Sequence, residues 1–233
     1  MSDPRERLIV ALDVSSAAAA QQIVAAVGDS ALTYKVGMQL YTAEGPPAVR
    51  ALVKSNRRVF LDLKYHDIPN TVAAAVCEAA QLGVSMLTVH ASGGGRMLSA
   101  ATVAARQANP SLMVLAVTVL TSLDDGDLDK TGVHGRVRDQ VLRLAALAIA
   151  NGCHGVVASA REAAELRKEL GEQFLIVTPG VRPPGADRGD QIRVVTPAEA
   201  IAAGATHIVV GRPITSAADP AAEARAILAQ ISS

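Results

Sequence analysis

Residues 57–90 read RRVFLDLKYHDIPNTVAAAVCEAAQLGVSMLTVH, and this stretch decides the fold. Its opening run, RRVFLDLK, is β-rich and almost continuously apolar, the mark of a strand covered on both faces. From Pro69 the apolar spacing turns helical and stops at Gly83, as helices commonly do. A second apolar run, VSMLTVH, follows at once. Strand, helix, strand is the unit from which parallel sheets are built.

The same unit recurs along the chain. Further β-rich runs are RLIVALD (7–13), LTYKVG (32–37), LMVLAVTVL (112–120), CHGVVAS (153–159), QFLIVTPG (173–180) and ATHIVVG (205–211). Alanine-rich helical stretches lie between them, among them SSAAAAQQIVAAVG (15–28), GGGRMLSAATVAARQ (93–107), VRDQVLRLAALAIANG (137–152) and SAREAAELRKELG (159–171). About eight such alternations predict a (β/α)8 TIM barrel of the α/β class. No shift in composition marks a boundary, so one domain over residues 1–233 is expected. A doubly wound open sheet fits less well, because no G-x-G-x-x-G follows the first strand. Two connections are long enough to be lids, TSLDDGDLDKTGVHGR (121–136) and TPGVRPPGADRGDQIRVVTP (178–197).

Composition narrows the function. The 233 residues are 50% hydrophobic and 19% charged, a globular balance with enough chain for a full core. Lys and Arg number 22, as do Asp and Glu, so no global field holds nucleic acid or an anionic membrane. Aromatic residues are only 2% and Trp is absent, which leaves little for base-stacking platforms. No segment approaches the ~20 apolar residues of a membrane helix. The start, MSDPRERLIVALDV, lacks a signal-peptide pattern, and Cys77 and Cys153 lack redox or metal spacing. A cytoplasmic protein with two reduced core thiols is expected, without nucleic-acid or membrane partners.

In such barrels the active site lies at the C-terminal ends of the strands. The strands deliver there Asp13, Lys35, Asp62 with Lys64, His90, Thr121 with Ser122, Ser159, Arg182, and Gly211 with Arg212. Asp62 and Lys64 are two apart on one strand and point to the same side. Lys35, one strand away, can approach Asp62, and Asp67 can reach back toward Lys64 if its loop or a partner chain allows. An alternating chain of acids and bases is expected. Charged groups are seldom buried unless they pair or do chemistry.

A separate signal concerns phosphate. HIVVGRPIT presents Gly211 and Arg212 after the last strand, where barrels commonly hold a phosphate on backbone N–H groups and an arginine fork. Arg182, Arg188 and Gln191 stand in the neighbouring loop and can fold over the same anion, although Arg188 reads better as solvated. The HASGGG segment (90–95) fits a phosphate cradle or, equally, a turn opening a helix. His66 can support the charged cluster from outside. His134, His154 and His207 lack metal spacing, and no metal site is expected.

Taken in order, ALDV, YKVGMQLY, FLDLKYHDIPNT, TVHASGG, AVTVLTS, TPGVRP, GDQ with RVVTPAEA, and VVGRPIT resemble the bacterial orotidine 5′-monophosphate decarboxylase family over essentially the whole chain. The segment DLKYHDIPNT is the most specific of these. The resemblance implies cofactor-free decarboxylation of orotidine monophosphate to uridine monophosphate, the last step of de novo pyrimidine nucleotide synthesis. It implies that Lys64 protonates C6, that Asp62 faces the substrate carboxylate, and that Lys35 and Asp67 complete the charge chain. It gives the phosphate to Arg212, the Gly211 backbone and Gln191 with Arg182, the ribose to Asp13 and Lys35, and places Thr121 and Ser122 near the base. It also implies a homodimer in which Asp67 and Thr71 enter the partner's site.

Two rival readings remain beside it. Related barrels with D-x-K-x-x-D, keto-gulonate phosphate decarboxylases and hexulose phosphate synthases, use magnesium and resemble this chain except that an acid stands where Lys35 is. A non-catalytic nucleotide-binding barrel would keep the pocket without the reaction, yet all four charged members are present here.

Overall fold

The structure is a computed structural model that describes residues 3–183 and 195–232. Eight parallel strands close into a barrel in chain order: β1 (Leu8–Ala11), β2 (Thr33–Gly37), β3 (Arg58–Tyr65), β4 (Met86–His90), β5 (Met113–Val117), β6 (Gly155–Val157), β7 (Leu175–Thr178) and β8 (His207–Val210). The helices that return the chain are α1 (Ala17–Val27), α2 (Met38–Glu44), α3 (Pro46–Lys54), α4 (Pro69–Gln81), α5 (Gly94–Ala108), α6 (Asp125–Lys130), α7 (Val137–Ala150), α8 (Ala160–Leu170), α9 (Pro197–Ala202), α10 (Arg212–Thr215) and α11 (Pro220–Ile231). The barrel expected from the alternation of runs is the one observed, and each β-rich run supplies one strand.

Side-chain alternation divides the core in two. Ile9, Ala11, Phe60, Met86, Leu115, Val177 and Val209 fill the inside of the barrel. The intervening residues, Leu8, Val10, Leu61, Leu87, Val114 and Ile208 among them, pack outward against the helices. The alanine-rich helical stretches follow from this arrangement. Ala79, Ala80, Ala101, Ala105, Ala145 and Ala148 are buried in the outer layer, where a methyl group lets helix and sheet approach closely. Gly155 meets a stricter limit, since a Cβ there would lie 2.3 Å from the Leu175 carbonyl oxygen on β7.

Local chemistry sets the helix starts. Ser16 caps α1 through the Ala19 N–H, and Pro69 occupies the first turn of α4, where its missing N–H costs nothing. The connection after β5, expected as a loop, carries the short helix α6. Asp124 and Asp127 form a capping box at its start, a signal that lies in the motif D-D-G-D and is masked by Gly126. The HASGGG segment is a 3-10 turn running into α5, as the helix-opening alternative predicts. A Cβ at Gly93 would meet the end of the Met97 side chain, which would have to shift to make room.

The N-terminal end of the barrel is closed by cations that spend their donors on the backbone. Arg7 donates to the carbonyls of Ala205, Thr206 and Ile231, tying α11 to β1 and β8. Arg167 donates mainly to the Gly204, Gly171 and Phe174 carbonyls, pairs at 3.3 Å with the exposed Glu172 carboxylate, and lies 4.7 Å over the Phe174 ring. Both cysteines are free; Cys153 is buried, which pushes its thiol up to about 12, while Cys77 is only half-buried. No helix among the described residues is long and apolar enough to cross a membrane.

His207 sits in the same plug, and burial, reinforced by the Arg7 cation, pushes its pKa down from 6.5 to about 4. Below pH 6.5 the unfolded chain therefore takes up a proton that the folded barrel refuses until about pH 4. Stability conferred by the neutral ring is complete above 6.5 and is lost as the pH falls through this window. Urea titrations at pH 7 and pH 4.5 should show His207→Asn losing less stability on acidification than the unsubstituted chain, by up to about 3 kcal/mol. Equal losses would remove His207 from the acid response.

Candidate active site

The charged residues at the C-terminal end form one continuous chain. Lys35 Nζ lies 2.8 Å from Asp13 Oδ1 and 3.8 Å from Asp62 Oδ2, and Lys64 Nζ lies 2.9 Å from Asp62 Oδ1. All four side chains continue the inward-facing register: Asp13 follows Ile9 and Ala11, and Asp62 and Lys64 follow Phe60. Lys35 and Asp62 are the deep members, their side chains 12% and 13% exposed, and Asp13 is the rim, at 59%. A carboxylate so far from water needs partners, and two ammonium groups flank it.

Lys64 reaches this position through an irregular backbone. Leu61 pairs with Leu87 and Tyr65 with Val89, so four residues of advance on β3 face two on β4. Within that bulge Lys64 takes φ +54, a left-handed conformation that costs a non-glycine residue about 1–2 kcal/mol. Its N–H, displaced from the strand ladder, donates to Thr88 Oγ1 at 2.9 Å. Thr88 Oγ1 in turn donates to Asp62 Oδ1 at 3.0 Å. No role was read for Thr88 in the sequence; the only signal was a polar residue at an inward position of the run MLTVH.

Above the charge chain opens a cleft of about 430 Å3, walled by Asp13, Lys35, Asp62, Arg182, Gly211 and Arg212. A second, mostly apolar recess of about 180 Å3 shares Lys35, Asp62, Pro179 and Val209 with it, and continues over Lys64, Phe60, Val117, Leu120 and Thr121. The two together suit an elongated ligand with an anionic end at the arginines and a flat, less polar end at Lys64. Arg212 begins α10 directly after β8, with Gly211 as the preceding cap residue. Arg182 is buried and donates to the Val181 carbonyl. Its own N–H bonds the Val195 carbonyl, which pins together the two ends of the connection after β7.

Other expected members lie elsewhere. Ser122 lines an adjacent cleft with Asp124, Asp125 and Arg161; Thr121 lines both that cleft and the apolar recess, and so stands between the two. Ser159 is buried and caps α8 through the Arg161 N–H. His90, whose pKa is lowered by burial and then by His66 and Lys64, stacks its ring 5.4 Å from His66; neither ring lines the cleft. Asp67 is exposed and accepts from its neighbour's N–H, Ile68, at 2.7 Å; it makes no ion pair with Lys64 within the chain. Thr71 is exposed on α4. Gln191 and Arg188 lie outside the described residues. His154 Nδ1 accepts the Val114 N–H, a structural role, and no group of three or more potential metal ligands occurs among the described residues.

Gly37 ends β2 beside the charge chain. A Cβ there would lie 2.9 Å from Lys35 Nζ and 3.3 Å from Asp13 Oδ1. The atom in conflict is the tip of a flexible side chain, so Gly37→Ala is expected to keep its melting temperature within a few degrees while expelling the ammonium. A crystal structure of the variant should show the Lys35–Asp13 contact opened beyond the ~3.2 Å hydrogen-bond limit. An unchanged contact would show that the site tolerates a methyl group there.

Comparison with known proteins bears on this geometry. The model of the orotidine 5′-phosphate decarboxylase / HUMPS family matches residues 6–227. An orotidine 5′-phosphate decarboxylase of Moorella thermoacetica is 52% identical over 233 residues, covering 97% of this chain and 92% of its own. One from Anaeromyxobacter sp. (strain K) is 54% identical over 226 residues, covering 97% and 98%. The crystal structure of orotidine 5′-phosphate decarboxylase from Lactobacillus acidophilus superposes with a TM-score of 0.88 at 38% identity, over 97% of this chain and 99% of that one. With a family model spanning nearly all of its length and relatives more than half identical, this chain belongs to the orotidine 5′-phosphate decarboxylase / HUMPS family.

Proposed function

We propose that the protein, acting as one barrel domain in the cytoplasm, decarboxylates orotidine 5′-monophosphate to uridine 5′-monophosphate, the last step of de novo pyrimidine synthesis, without a cofactor. The observation that carries this reading is the Lys64 ammonium, held by Asp62 where the polar cleft meets the apolar recess. In the reaction the bond from C6 to the carboxylate breaks, carbon dioxide leaves, and the electron pair stays on C6. Lys64 Nζ stabilises that developing charge and then gives its proton to C6; water restores the proton afterwards. Asp62 faces the departing carboxylate, and Lys35 keeps Asp62 oriented.

A barrier reduction of roughly 8–23 kcal/mol is more than one lysine supplies. Binding energy from the rest of the nucleotide makes up the difference. We assign the phosphate to Arg212, the Gly211 backbone and Gln191, with Arg182 beside them; the ribose hydroxyls to Asp13 and Lys35; and the base to Thr121 and Ser122. The walls of the cleft and recess support Arg212, Gly211, Arg182, Asp13, Lys35 and Thr121 in these roles, while Gln191 lies outside the described residues. Ser122 shares an adjacent cleft with Thr121 and reaches the base from there.

We further propose a homodimer in which Asp67 and Thr71 enter the partner's site. Asp67 faces solvent rather than its own Lys64, and the adjacent Ile68 is 67% exposed. A magnesium-dependent relative is disfavoured by Lys35: its ammonium sits between Asp13 and Asp62, where a cation would have to bind.

Loss of orotidine monophosphate absorbance in the presence of a chelator tests the reaction. Turnover is expected to persist in chelator and to fall roughly a thousandfold or more in Lys64→Ala, with uridine monophosphate still bound. Tight nucleotide binding without turnover by the unsubstituted protein would favour a regulatory barrel. For shared sites, mixing inactive Lys64→Ala with inactive Asp67→Asn should restore about a quarter of full activity, since half the dimers are hybrids with one intact site. Recovery of none would sink the sharing.

A further inference from the structure

We infer that Thr88 is a positioning residue for the reaction, holding Asp62 and Lys64 to each other through one hydroxyl group; the inference rests on the decarboxylase reading above. Thr88 is fully buried on β4, and its Oγ1 accepts the Lys64 N–H at 2.9 Å and meets Asp62 Oδ1 at 3.0 Å. The direction of both bonds is forced. A backbone N–H can only donate and an ionised carboxylate can only accept, so the hydroxyl proton must point at Asp62.

This single group settles two problems created by the bulge. The Lys64 N–H has no strand-ladder carbonyl, and burying it unpaired would be unfavourable. Lys64 also holds a left-handed backbone that relaxes unless its surroundings over-determine it. By bonding the backbone of the proton donor and the carboxylate of its partner, Thr88 fixes the vector from Asp62 to Lys64. Asp62 Oδ1 then carries both Thr88 and Lys64 Nζ, which leaves Oδ2 toward Lys35 and the cleft. Thr88 itself lines neither cavity, so it acts on the substrate only through these two neighbours.

Thr88→Val keeps the shape and removes the hydroxyl; Thr88→Ser keeps the hydroxyl. The expected result is a fall in kcat of about tenfold to a hundredfold in Thr88→Val, the range of one hydrogen bond to a charged group, with KM and uridine monophosphate affinity nearly unchanged. Thr88→Ser should retain most of kcat. Equal kcat in Thr88→Val and the unsubstituted protein, or a loss carried by KM instead, would overturn the positioning role. Thr88→Ala provides a second hydroxyl-free variant if the valine form does not fold, and failure of both to fold would make Thr88 structural and also overturn it. Absence of turnover in the unsubstituted protein would instead refute the decarboxylase reading, and the two failures are thereby distinguished.

Discussion

Everything at the C-terminal end of this barrel depends on the Asp62 carboxylate being buried between two ammonium groups. Removing a carboxylate from water costs several kcal/mol even after relaxation. Lys64 at 2.9 Å and Lys35 at 3.8 Å offset that cost, and Asp13 takes the outer face of Lys35. Alternating signs let Lys35, Asp62 and Lys64 occupy a mouth that would not accept any of them alone, with Asp13 at its solvated rim. The rest of the chain bears on this arrangement through geometry: parallel closure brings β1, β2 and β3 side by side, so that one residue from each of the first two and two from the third converge.

The bulge in β3 follows from the same demand. In a regular strand, alternation would give Asp62 and Lys64 the same side but leave their spacing and aim to the pleat. Here the shifted register and the left-handed Lys64 backbone alter that aim, and Thr88 satisfies the N–H set free. Backbone strain of this kind persists where the surroundings fix it, and it gathers at functional sites.

What was legible in the sequence divides along these lines. The strands could be read because burial on both faces writes continuous apolar runs, as in LMVLAVTVL and HIVVG, and the inward charges because period-two alternation survives into the barrel mouth. Three things escaped for physical reasons. Helix α6 rests on an Asp124–Asp127 capping box in a stretch whose glycine and charges read as loop. Thr88 looked like an ordinary β-branched strand residue, since its importance lies in a register shift on the neighbouring strand. Ser122, grouped with Thr121 by adjacency, does share a cleft with it, but only Thr121 of the pair also lines the recess above Lys64, a difference that adjacency cannot show.

The two ends of the barrel use similar side chains to opposite effect. At the N-terminal end, Arg7 gives its donors to backbone carbonyls, Arg167 gives its donors to backbone carbonyls and to the exposed Glu172 carboxylate, and burial keeps His207 neutral. Those groups are committed to closing the chain on itself. At the C-terminal end the lysines face carboxylates at the wall of an open cleft. Carboxylates can share an ammonium with a ligand or yield it, whereas a carbonyl bound into the fold cannot be released without loosening the strands it belongs to. A buried cation is therefore structural or functional according to what it bonds, and the partner, more than the degree of burial, separates Arg7 from Lys64.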